Sequence, residues 1–493
     1  MTGLACAALI AAPAQGAIDL AAFDRTAQGA MAAWHQPGLA VAVVRSGAPD
    51  WLRGYGMRDL AKAEPVDPDT LFGIGSCTKP FAATTVALLV HRGRLGWDDG
   101  VAERLPWFRA RDPWVTQALS VRDLLANRTG LRSEAIRTAA TSRRAYLETI
   151  ARSEPLHGFR ANYSYTPEMF TLAGELVASV SGTPWAEFAA RELWRPLGMA
   201  RTNADYRVAR AMPDAATPYQ LIAGAMVPIE WRFEDDIALP SGGVNSSARD
   251  MAKWLGFQLG ARPAGGPDLP PAALAETRLM HVPLRGPFND SPFKEAEGVS
   301  DEGYGLGWFM LRYHGVQVYY HHGSEDGFRC FGAIVPELGL GFVGLENSPN
   351  AGLPRALFLT LLDQALDRPA HDWSGEFLAR QNAIVAGIDT REARLVAARG
   401  TPQPAPLPFA SYAGPYDDSG PIGEASVAGD AKGLTLTLGR ETFDLKPWSG
   451  SWFELMPRRN WAAPRVAFVE FRRDPAGAVA GLALDGRLLA RRP

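Results

Sequence analysis

The sequence predicts an α+β protein in which an antiparallel sheet, flanked by helices and a helical lobe, is followed by a small all-β, barrel-like domain. Three observations predict it. Apolar strand patterns occur at both ends of residues 38–345, helical patterns fill residues 76–260, and short strands separated by turns return after residue 408. Strands from both ends of the first region assemble most economically into one sheet that the helices cover.

The first elements are a β-hairpin and a series of helices. Residues 39–44 form an apolar, β-branched run, Ser46-Gly47 provides a turn, and residues 51–55 continue as the second strand. Helical patterns follow at residues 81–91, 121–126 and 172–188, and Gly and Pro interrupt them.

Strand patterns return at residues 316–320, 328–335 and 340–345, with a turn at residues 336–339 between the last two. The two ends of this region therefore supply the strands, and its middle supplies the helices. We expect the functional site in the crevice between the sheet and the helical lobe.

A domain boundary is predicted near residue 400. Residues 378–400 form a helical pattern, and the Pro-rich residues 401–408 follow it. Strand patterns such as 433–438 and 465–471 then predict a small closed or nearly closed barrel. The predicted division is a signal-peptide remnant at 1–17, the main domain at 18–370, a helical and Pro-rich linker at 371–405, and the barrel domain at 406–493.

The N-terminus has part of a secretion signal. Residues 4–12 are apolar but too few to span a bilayer, and Ala12-Pro13-Ala14 is typical of a cleavage site, although no positive segment precedes the apolar run. We expect export to the periplasm or the medium, with a cytoplasmic location as the alternative. No transmembrane segment is expected.

Composition excludes several classes of function. The 493 residues are 47% hydrophobic and 21% charged, which is typical of a soluble globular protein and excludes a disordered chain. The 50 Lys and Arg residues are balanced by 53 Asp and Glu residues, so the chain has no excess of positive charge that would indicate a nucleic-acid partner. The three cysteines, Cys6, Cys77 and Cys330, and the eight histidines match no zinc-site spacing, so we expect neither a metal nor another cofactor.

The first chemical motif is Gly75-Ser76-Cys77-Thr78-Lys79-Pro80 at the start of an apolar helix. Residues i and i+3 share a helix face, so the Ser76 hydroxyl and the Lys79 amine can meet. A serine becomes nucleophilic when a base accepts its proton, and a lysine screened from water can be that base. The spacing alone is also compatible with a capping serine and a surface lysine.

Two further segments carry candidate residues. Tyr163 and Tyr165 lie about 90 residues downstream, and a lysine beside a tyrosine is expected to lower the pKa of the phenol and let it assist the base. His321-His322-Gly323-Ser324 ends a strand, where a glycine lets a substrate approach the backbone closely. Each segment alone is also compatible with ordinary structural residues.

Taken together and in this order, the three segments resemble the serine β-lactamase and penicillin-binding-protein-like hydrolases, which combine Ser-x-x-Lys, Tyr-x-Asn and Lys-Thr-Gly or His-x-Gly. Residues 25–365 contain further similar segments, among them Ser241-Gly242-Gly243 and Tyr304-Gly305-Leu306-Gly307-Trp308. The barrel segment resembles the appendage of some peptidase-like members, where it serves substrate gating or assembly, and a homo-oligomer is left open.

The resemblance implies that Ser76 is the acylated nucleophile and Lys79 the base. It favours Tyr165 as the catalytic tyrosine, with Tyr163 as the alternative. His321 takes the place of the third-motif lysine, with Gly323 beside the substrate, and the backbone N–H groups of Ser76 and Ser324 form the oxyanion hole.

Two departures from the family pattern bear on activity. Pro167 stands where the family has asparagine, which removes an amide that positions the lysine and the substrate. Histidine in the third motif resembles the esterase and D-aminopeptidase branches more than true β-lactamases. The two cysteines nearest these motifs, Cys77 and Cys330, are expected to be neighbours, as buried free thiols rather than a disulfide.

We expect a cofactor-free serine hydrolase that forms an acyl-enzyme with a small-molecule or peptide substrate. A D-aminopeptidase or amidase is favoured over a carboxylesterase, and a β-lactamase ranks third because His321 lacks the fixed charge of a lysine. A non-catalytic scaffold or ligand sensor is the alternative outside enzymes. An α/β-hydrolase is excluded, because no Gly-x-Ser-x-Gly segment occurs.

Overall fold

The strands and helices are described from a computed structural model that covers residues 16–492, apart from residues 134–141, 223, 232–236, 238, 400, 418–423, 440, 459–466 and 485. The strands are β1 (Gly38–Arg45), β2 (Trp51–Asp59), β3 (Glu64–Pro65), β4 (Phe72–Gly73), β5 (Tyr219–Ile222), β6 (Ala225–Pro228), β7 (Asn245–Ser246), β8 (Val282–Pro283), β9 (Val299–Tyr304), β10 (Phe309–Tyr313), β11 (Val316–Glu325), β12 (Phe328–Val335), β13 (Leu340–Glu346), β14 (Gly414–Asp417), β15 (Glu424–Gly429), β16 (Leu434–Leu438), β17 (Glu441–Ser449), β18 (Trp452–Pro457), β19 (Phe468–Arg473), β20 (Val479–Leu484) and β21 (Arg487–Arg491).

The helices are α1 (Leu20–Ala33), α2 (Lys79–His91), α3 (Val101–Arg104), α4 (Pro113–Ala118), α5 (Val121–Leu125), α6 (Arg143–Arg152), α7 (Pro167–Ser181), α8 (Trp185–Ala189), α9 (Tyr206–Ala211), α10 (Leu239–Gly242), α11 (Ala248–Gln258), α12 (Pro271–Ala275), α13 (Leu353–Ala365) and α14 (Trp373–Ala398). Short 3₁₀ turns occupy Gly75–Thr78, Glu276–Arg278, Gly286–Phe288, Pro336–Leu338 and Phe409–Tyr412, and a π-helical turn occupies Ala190–Trp194.

An antiparallel sheet joins the two ends of the first region. Its order among the described residues is β3-β2-β1-β13-β12-β11-β10-β9-β8, and β1 pairs with β13 from Leu39 opposite Glu346 to Arg45 opposite Leu340. The predicted assembly of strands from both ends into one sheet is therefore confirmed.

Helices cover both faces of this sheet, which explains why β1 is a nearly continuous apolar run rather than an alternating one. On one face the Phe331 ring contacts Phe358 of α13 at 5.3 Å between centroids. On the other face α11 packs against β1 and β13. Aromatic pairs at such separations stabilise the packing beyond their buried area.

The helical lobe lies between β4 and β8 in the chain and packs on α2. Phe81 of α2 stacks on Trp254 of α11, with ring centroids 4.1 Å apart. Gly174 of α7 lies so close to Pro240 that a Cβ atom there would be 2.2 Å from the proline Cγ. This close packing fixes α7 and α10 around α2, the helix that begins at the predicted nucleophile.

The C-terminal part forms a closed barrel from β14 to β21 with its own hydrophobic core, in which Tyr412, Phe453 and Phe471 contact one another. The helix α14 connects it to the sheet domain, against which Trp373 and Phe377 are buried. The predicted fold class, a helix-flanked antiparallel sheet followed by a β-barrel, is confirmed.

Two predictions concern the ends of the chain. The proposed signal remnant at residues 1–17 falls largely outside the described residues, so it stays a prediction. Among the helices that the structure describes, none combines the length and apolarity needed to cross a membrane.

Candidate active site

The predicted nucleophile lies in the 3₁₀ turn that leads into α2. Ser76 is the second residue of this turn, and Lys79 is the first residue of α2, one helical turn further on. Pro80 supports the helix start because its missing N–H would have no intrahelical acceptor at that position. Ser76 lines a cavity of about 480 Å³ together with Lys79 and Tyr165.

Three side chains meet at the Ser76 hydroxyl. The Lys79 Nζ lies 2.8 Å from Ser76 Oγ, and the Tyr165 hydroxyl donates a hydrogen bond to the same oxygen at 2.7 Å. Lys79 has no solvent-exposed surface, and its Nζ also donates to the carbonyl oxygen of Ser241 at 2.7 Å. The structure therefore shows the contact between Ser76 and Lys79 that their spacing predicts. It also brings Tyr165, from a segment distant in the sequence, to the same hydroxyl.

The two candidate tyrosines have different positions. Tyr165 contacts Ser76, whereas the Tyr163 hydroxyl lies 3.5 Å from Asp290 Oδ2, away from the nucleophile. Of the two tyrosines, Tyr165 is thus the one that contacts the predicted nucleophile, and its catalytic role stays a prediction.

The expected lowering of the tyrosine pKa is wrong. Burial raises the pKa of Tyr165 above its ordinary value, and the hydrogen bond to Ser76 offsets only part of that effect. Tyr165 is therefore a neutral phenol that donates a hydrogen bond. The role of Lys79 as the base stays a prediction.

Two glycines allow β11 to lie directly against the turn that carries Ser76. A Cβ atom at Gly323 would lie 1.9 Å from the carbonyl oxygen of Ile74. Gly75 has φ +50°, and a Cβ atom there would lie 2.6 Å from the amide nitrogen of Ser324. This approach places the Ser324 backbone beside the nucleophile turn, as an oxyanion hole formed by the N–H groups of Ser76 and Ser324 requires. That role stays a prediction.

The structure places His321 differently from the prediction. His321 is 1% exposed, and its Nε2 lies 3.2 Å from the Tyr304 hydroxyl behind Tyr165. Its Nδ1 lies 2.7 Å from the His322 carbonyl oxygen, which can only accept, so Nδ1 carries the proton. Burial lowers its pKa well below the ordinary value. The cavity wall contains the neighbouring His322 instead.

A family model described as Beta-lactamase matches residues 23–365, which is more than half of the chain. The chain belongs to the beta-lactamase family. A second model, described as a domain of unknown function, matches residues 398–491, which include the barrel.

Curated relatives and a solved structure extend the comparison. The unguisins hydrolase of Aspergillus campestris is 29% identical over 405 residues, covering 78% of this chain and 73% of that protein. Esterase EstB of Burkholderia gladioli is 29% identical over 329 residues, covering 61% of this chain and 79% of that protein. The octameric penicillin-binding protein homologue from Pyrococcus abyssi has TM-score 0.61 and 21% identity, covering 96% of this chain and all of that chain. This member of the beta-lactamase family is an enzyme, a serine hydrolase.

Pro167 occupies the position of the family asparagine and begins α7 while lining the cavity. Proline suits the first position of a helix, because no backbone N–H is needed there. The preceding amide, that of Thr166, donates to Asn127 Oδ1 at 3.1 Å and so fixes the start of the helix. The contacts of Lys79 to Ser76 and Ser241 are present without the asparagine.

The predicted cysteine arrangement is confirmed within the described residues. Cys77 and Cys330 are both buried free thiols, and Cys77 Sγ donates to the carbonyl oxygen of His321 at 3.2 Å. Burial, together with the adjacent Cys77, raises the pKa of Cys330 well above its ordinary value. These thiols are therefore packing residues beside the site. In the described part of the chain no group of three or more His, Cys, Asp or Glu side chains is arranged to hold a metal ion.

Several cavity residues were missed by sequence reasoning. The Ser241 carbonyl that holds Lys79 lies in a segment that was noted only as similar to the family. The remaining missed residues form the opposite wall of the cavity: Gln220, His322, Glu325, Asp326 and Arg329. A signal was available for part of this wall, because Asp326-Gly327 is a typical hairpin turn and Gly327 has φ +71°.

Proposed function

We propose that this serine hydrolase cleaves a small amide or peptide that carries a free amino group, in the manner of a D-aminopeptidase or amidase, through an acyl-enzyme on Ser76. The observation that carries the proposal is the convergence of Lys79 Nζ and the Tyr165 hydroxyl on Ser76 Oγ, at 2.8 and 2.7 Å. Both distances are within the range over which protons are transferred in catalysis.

In the proposed reaction, neutral Lys79 accepts the Ser76 proton as Oγ attacks the scissile carbonyl carbon. The neutral Tyr165 hydroxyl donates to Oγ and stabilises the negative charge that develops on it. The carbonyl oxygen becomes an oxyanion beside the N–H groups of Ser76 and Ser324. The C–N bond then breaks, and the lysine ammonium returns the proton to the departing nitrogen.

Deacylation follows the same path with water as the nucleophile. Lys79 accepts a proton from water, the hydroxide adds to the acyl carbon, and the Ser76 oxygen leaves and recovers its proton. Lys79 is buried, and its Nζ lies 4.9 Å from the centroid of the Tyr165 ring. This packing keeps the amine directed at Ser76 Oγ in both half-reactions.

The charge of the cavity wall supports an amine-bearing substrate. Glu325 and Asp326 lie on the turn between β11 and β12 and line the cavity with Ser76. Glu325 Oε1 lies 3.2 Å from where a Cβ atom of Gly242 would be, which places this carboxylate over α10. This wall contains the two carboxylates of Glu325 and Asp326 and one guanidinium, that of Arg329. Its net negative charge attracts a substrate ammonium group and disfavours the carboxylate of a β-lactam.

An esterase is the second candidate function, and Pro167 is the observation that favours it. An ester has a better leaving group than an amide and depends less on a side chain that positions the substrate carbonyl. The relative EstB is itself named an esterase. The intact contacts among Ser76, Lys79 and Tyr165 argue against the scaffold alternative.

The test compares kcat/KM for three chromogenic substrates: D-alanine p-nitroanilide, p-nitrophenyl acetate and a chromogenic cephalosporin. We expect turnover of the anilide and, because activated esters are intrinsically reactive, of the acetate, with little turnover of the cephalosporin. Ser76→Ala is expected to abolish all three activities, and Lys79→Ala to lower them by several orders of magnitude.

The charged wall is tested with Glu325→Gln. This change is expected to raise KM for the anilide, which carries an ammonium group, and to leave KM for the uncharged acetate unchanged. Hydrolysis of the acetate without hydrolysis of the anilide would support the esterase candidate and contradict the amidase proposal.

Export and self-association are also proposed. Export is proposed from the apolar residues 4–12, which lie outside the described part of the chain. A homo-oligomer is proposed because the octameric homologue from Pyrococcus abyssi shares the fold over 96% of this chain. Mass determination of the mature exported protein and light scattering test the two proposals separately.

A further inference from the structure

Two arginines lie where α13 packs on the sheet. Arg329 and Phe331 are two residues apart on β12, so their side chains point to the same face of the sheet. Arg355 and Phe358 are three residues apart on α13, so they lie on the same side of the helix. Because the two phenylalanine rings are in contact, with centroids 5.3 Å apart, both arginines belong to the contact between β12 and α13.

The guanidinium of Arg355 has no partner in the described part of the chain. Arg355 is half-buried, its Nε is buried, and it makes no hydrogen bond or ion pair with a described residue. Burial lowers the pKa of Arg355 to about 10, and the positive charge of Arg329 acts in the same direction, yet the group stays protonated at neutral pH. It lies in the first turn of α13, where the helix dipole adds positive potential. A charge removed from water without a partner is unfavourable.

The carboxyl group on this face, that of Glu346, does not neutralise Arg355. Glu346 of β13 lies directly opposite Arg329 of β12, so the two side chains point to the same face. Glu346 is 0% exposed, and neither of its carboxyl oxygens has a hydrogen-bond partner among the described residues. Burial raises its pKa well above the ordinary value, although the charges of Arg329 and Arg355 oppose this shift. The carboxyl is therefore protonated at neutral pH and has an O–H group to donate.

The neighbouring groups add donors to this face rather than negative charge. Arg329 Nη1 donates to the carbonyl oxygens of Glu325 and Phe328, at 2.7 Å each, and so closes the turn between β11 and β12. The Glu325 carboxylate lies over α10, on the other face of the sheet. His322 of β11 is opposite Phe331, and its buried Nδ1 has no partner among the residues that the structure describes.

We propose that a small inorganic anion, such as chloride, binds between the sheet and α13, where Arg355, Arg329 and Glu346 hold it. One negative charge neutralises the unpaired guanidinium, and charge-assisted hydrogen bonds from a guanidinium are among the strong ones. The O–H group of Glu346 supplies a further donor. A compact ion is favoured over a larger carboxylate ligand, because Glu346 is fully buried and is reached only by an enclosed ion.

This site is distinct from the acyl-enzyme function proposed above, and its test needs no turnover. Thermal unfolding of the full-length protein is measured in sodium bromide, sodium acetate and sodium gluconate at equal ionic strength, so that general charge screening is constant. The variants are Arg355→Gln, which removes the unpaired guanidinium, and Arg391→Gln, which removes an exposed guanidinium of α14. Both variants change the net charge by the same amount.

We expect bromide at about ten times its dissociation constant to raise the Tm of the wild type by about 2 °C relative to gluconate. Arg355→Gln is expected to lose this shift and Arg391→Gln to keep it. No shift in the wild type, or the same shift in Arg355→Gln, would overturn the proposal. A shift with acetate as large as that with bromide, lost in Arg355→Gln, would overturn the assignment to an inorganic ion and indicate a carboxylate ligand.

Diffraction from bromide-soaked crystals of the wild type locates the ion directly and does not depend on any variant being folded. The anomalous signal of bromine is expected between β12, β13 and α13, in contact with the guanidinium of Arg355. Anomalous peaks confined to the outer surface of the protein would overturn the proposal. Failure of Ser76 to react with a fluorophosphonate would contradict the acyl-enzyme mechanism and leave these two results unchanged.

Discussion

Replacing Tyr165 by phenylalanine removes one hydroxyl that touches the nucleophile and leaves the ring in its packed position. The hydroxyl donates to Ser76 Oγ at 2.7 Å, and burial keeps it protonated. Because Oγ becomes negatively charged during attack, the lost bond is one to a charged group, which contributes about 1.5–3 kcal/mol. At 1.36 kcal/mol for each factor of ten, kcat/KM should fall about 10- to 150-fold.

Tyr163→Phe is the matched control. Tyr163 is 3% exposed, but its hydroxyl lies 3.5 Å from Asp290 Oδ2, too long for a strong hydrogen bond. We therefore expect a loss of kcat/KM below about threefold in this variant. The assay is hydrolysis of p-nitrophenyl acetate, with thermal unfolding of both variants to confirm that they are folded.

The two variants together test the choice of tyrosine. If Tyr163→Phe lowers kcat/KM more than Tyr165→Phe, or if Tyr165→Phe leaves it unchanged, the reasoning from the Ser76 contact is refuted. The pH profile adds a second check. Because Tyr165 is a neutral phenol, no rise in activity from its ionisation is expected below pH 10.

Three further predictions concern packing, acid stability and domain organisation. Gly323→Ala should lower the rate of Ser76 labelling by about 100-fold, because the added Cβ displaces β11 from the turn that carries Ser76. Gly332→Ala is the control: no atom lies within 4 Å of its new Cβ, so the labelling rate should not change. Burial lowers the pKa of His281 to about 4, so the unfolded state binds the proton first and stability in urea should fall as pH drops from about 6.5 to 4. His281→Gln should reduce this dependence without abolishing it, because buried His321 contributes in the same direction, whereas His91→Gln on the surface should not reduce it. A chain that ends at Arg399 should still unfold cooperatively and react at Ser76, because the barrel has a separate core; failure to fold would show that the sheet domain depends on it.

Much of the fold could be predicted because its strands and helices have strong local patterns. The run at residues 39–44 became β1, and the two runs joined by residues 336–339 became β12 and β13. The short strands β3, β4, β7 and β8 could not be predicted, because two residues carry no periodicity. Their pairing depends on contacts between segments distant in the sequence.

The site was predictable where chemistry is local and unpredictable where it depends on packing. Ser76 and Lys79 are one helical turn apart, so their contact follows from spacing. The sequence pattern His-x-Gly selects His321, whereas packing decides which residues of β11 line the cavity, and His322 is the histidine found there. The pKa of Tyr165 was misjudged because the degree of burial, which dominates it, has no sequence signal.

The most direct test of the central claim is the intact mass of the purified protein after treatment with a fluorophosphonate, followed by peptide mapping. We expect a single adduct on Ser76 in the wild type and none in Ser76→Ala. Adduct formation should be much slower in Lys79→Ala, whose serine has lost its base. A well-folded wild type that forms no adduct, or one labelled equally in Ser76→Ala, would contradict an activated serine at this position.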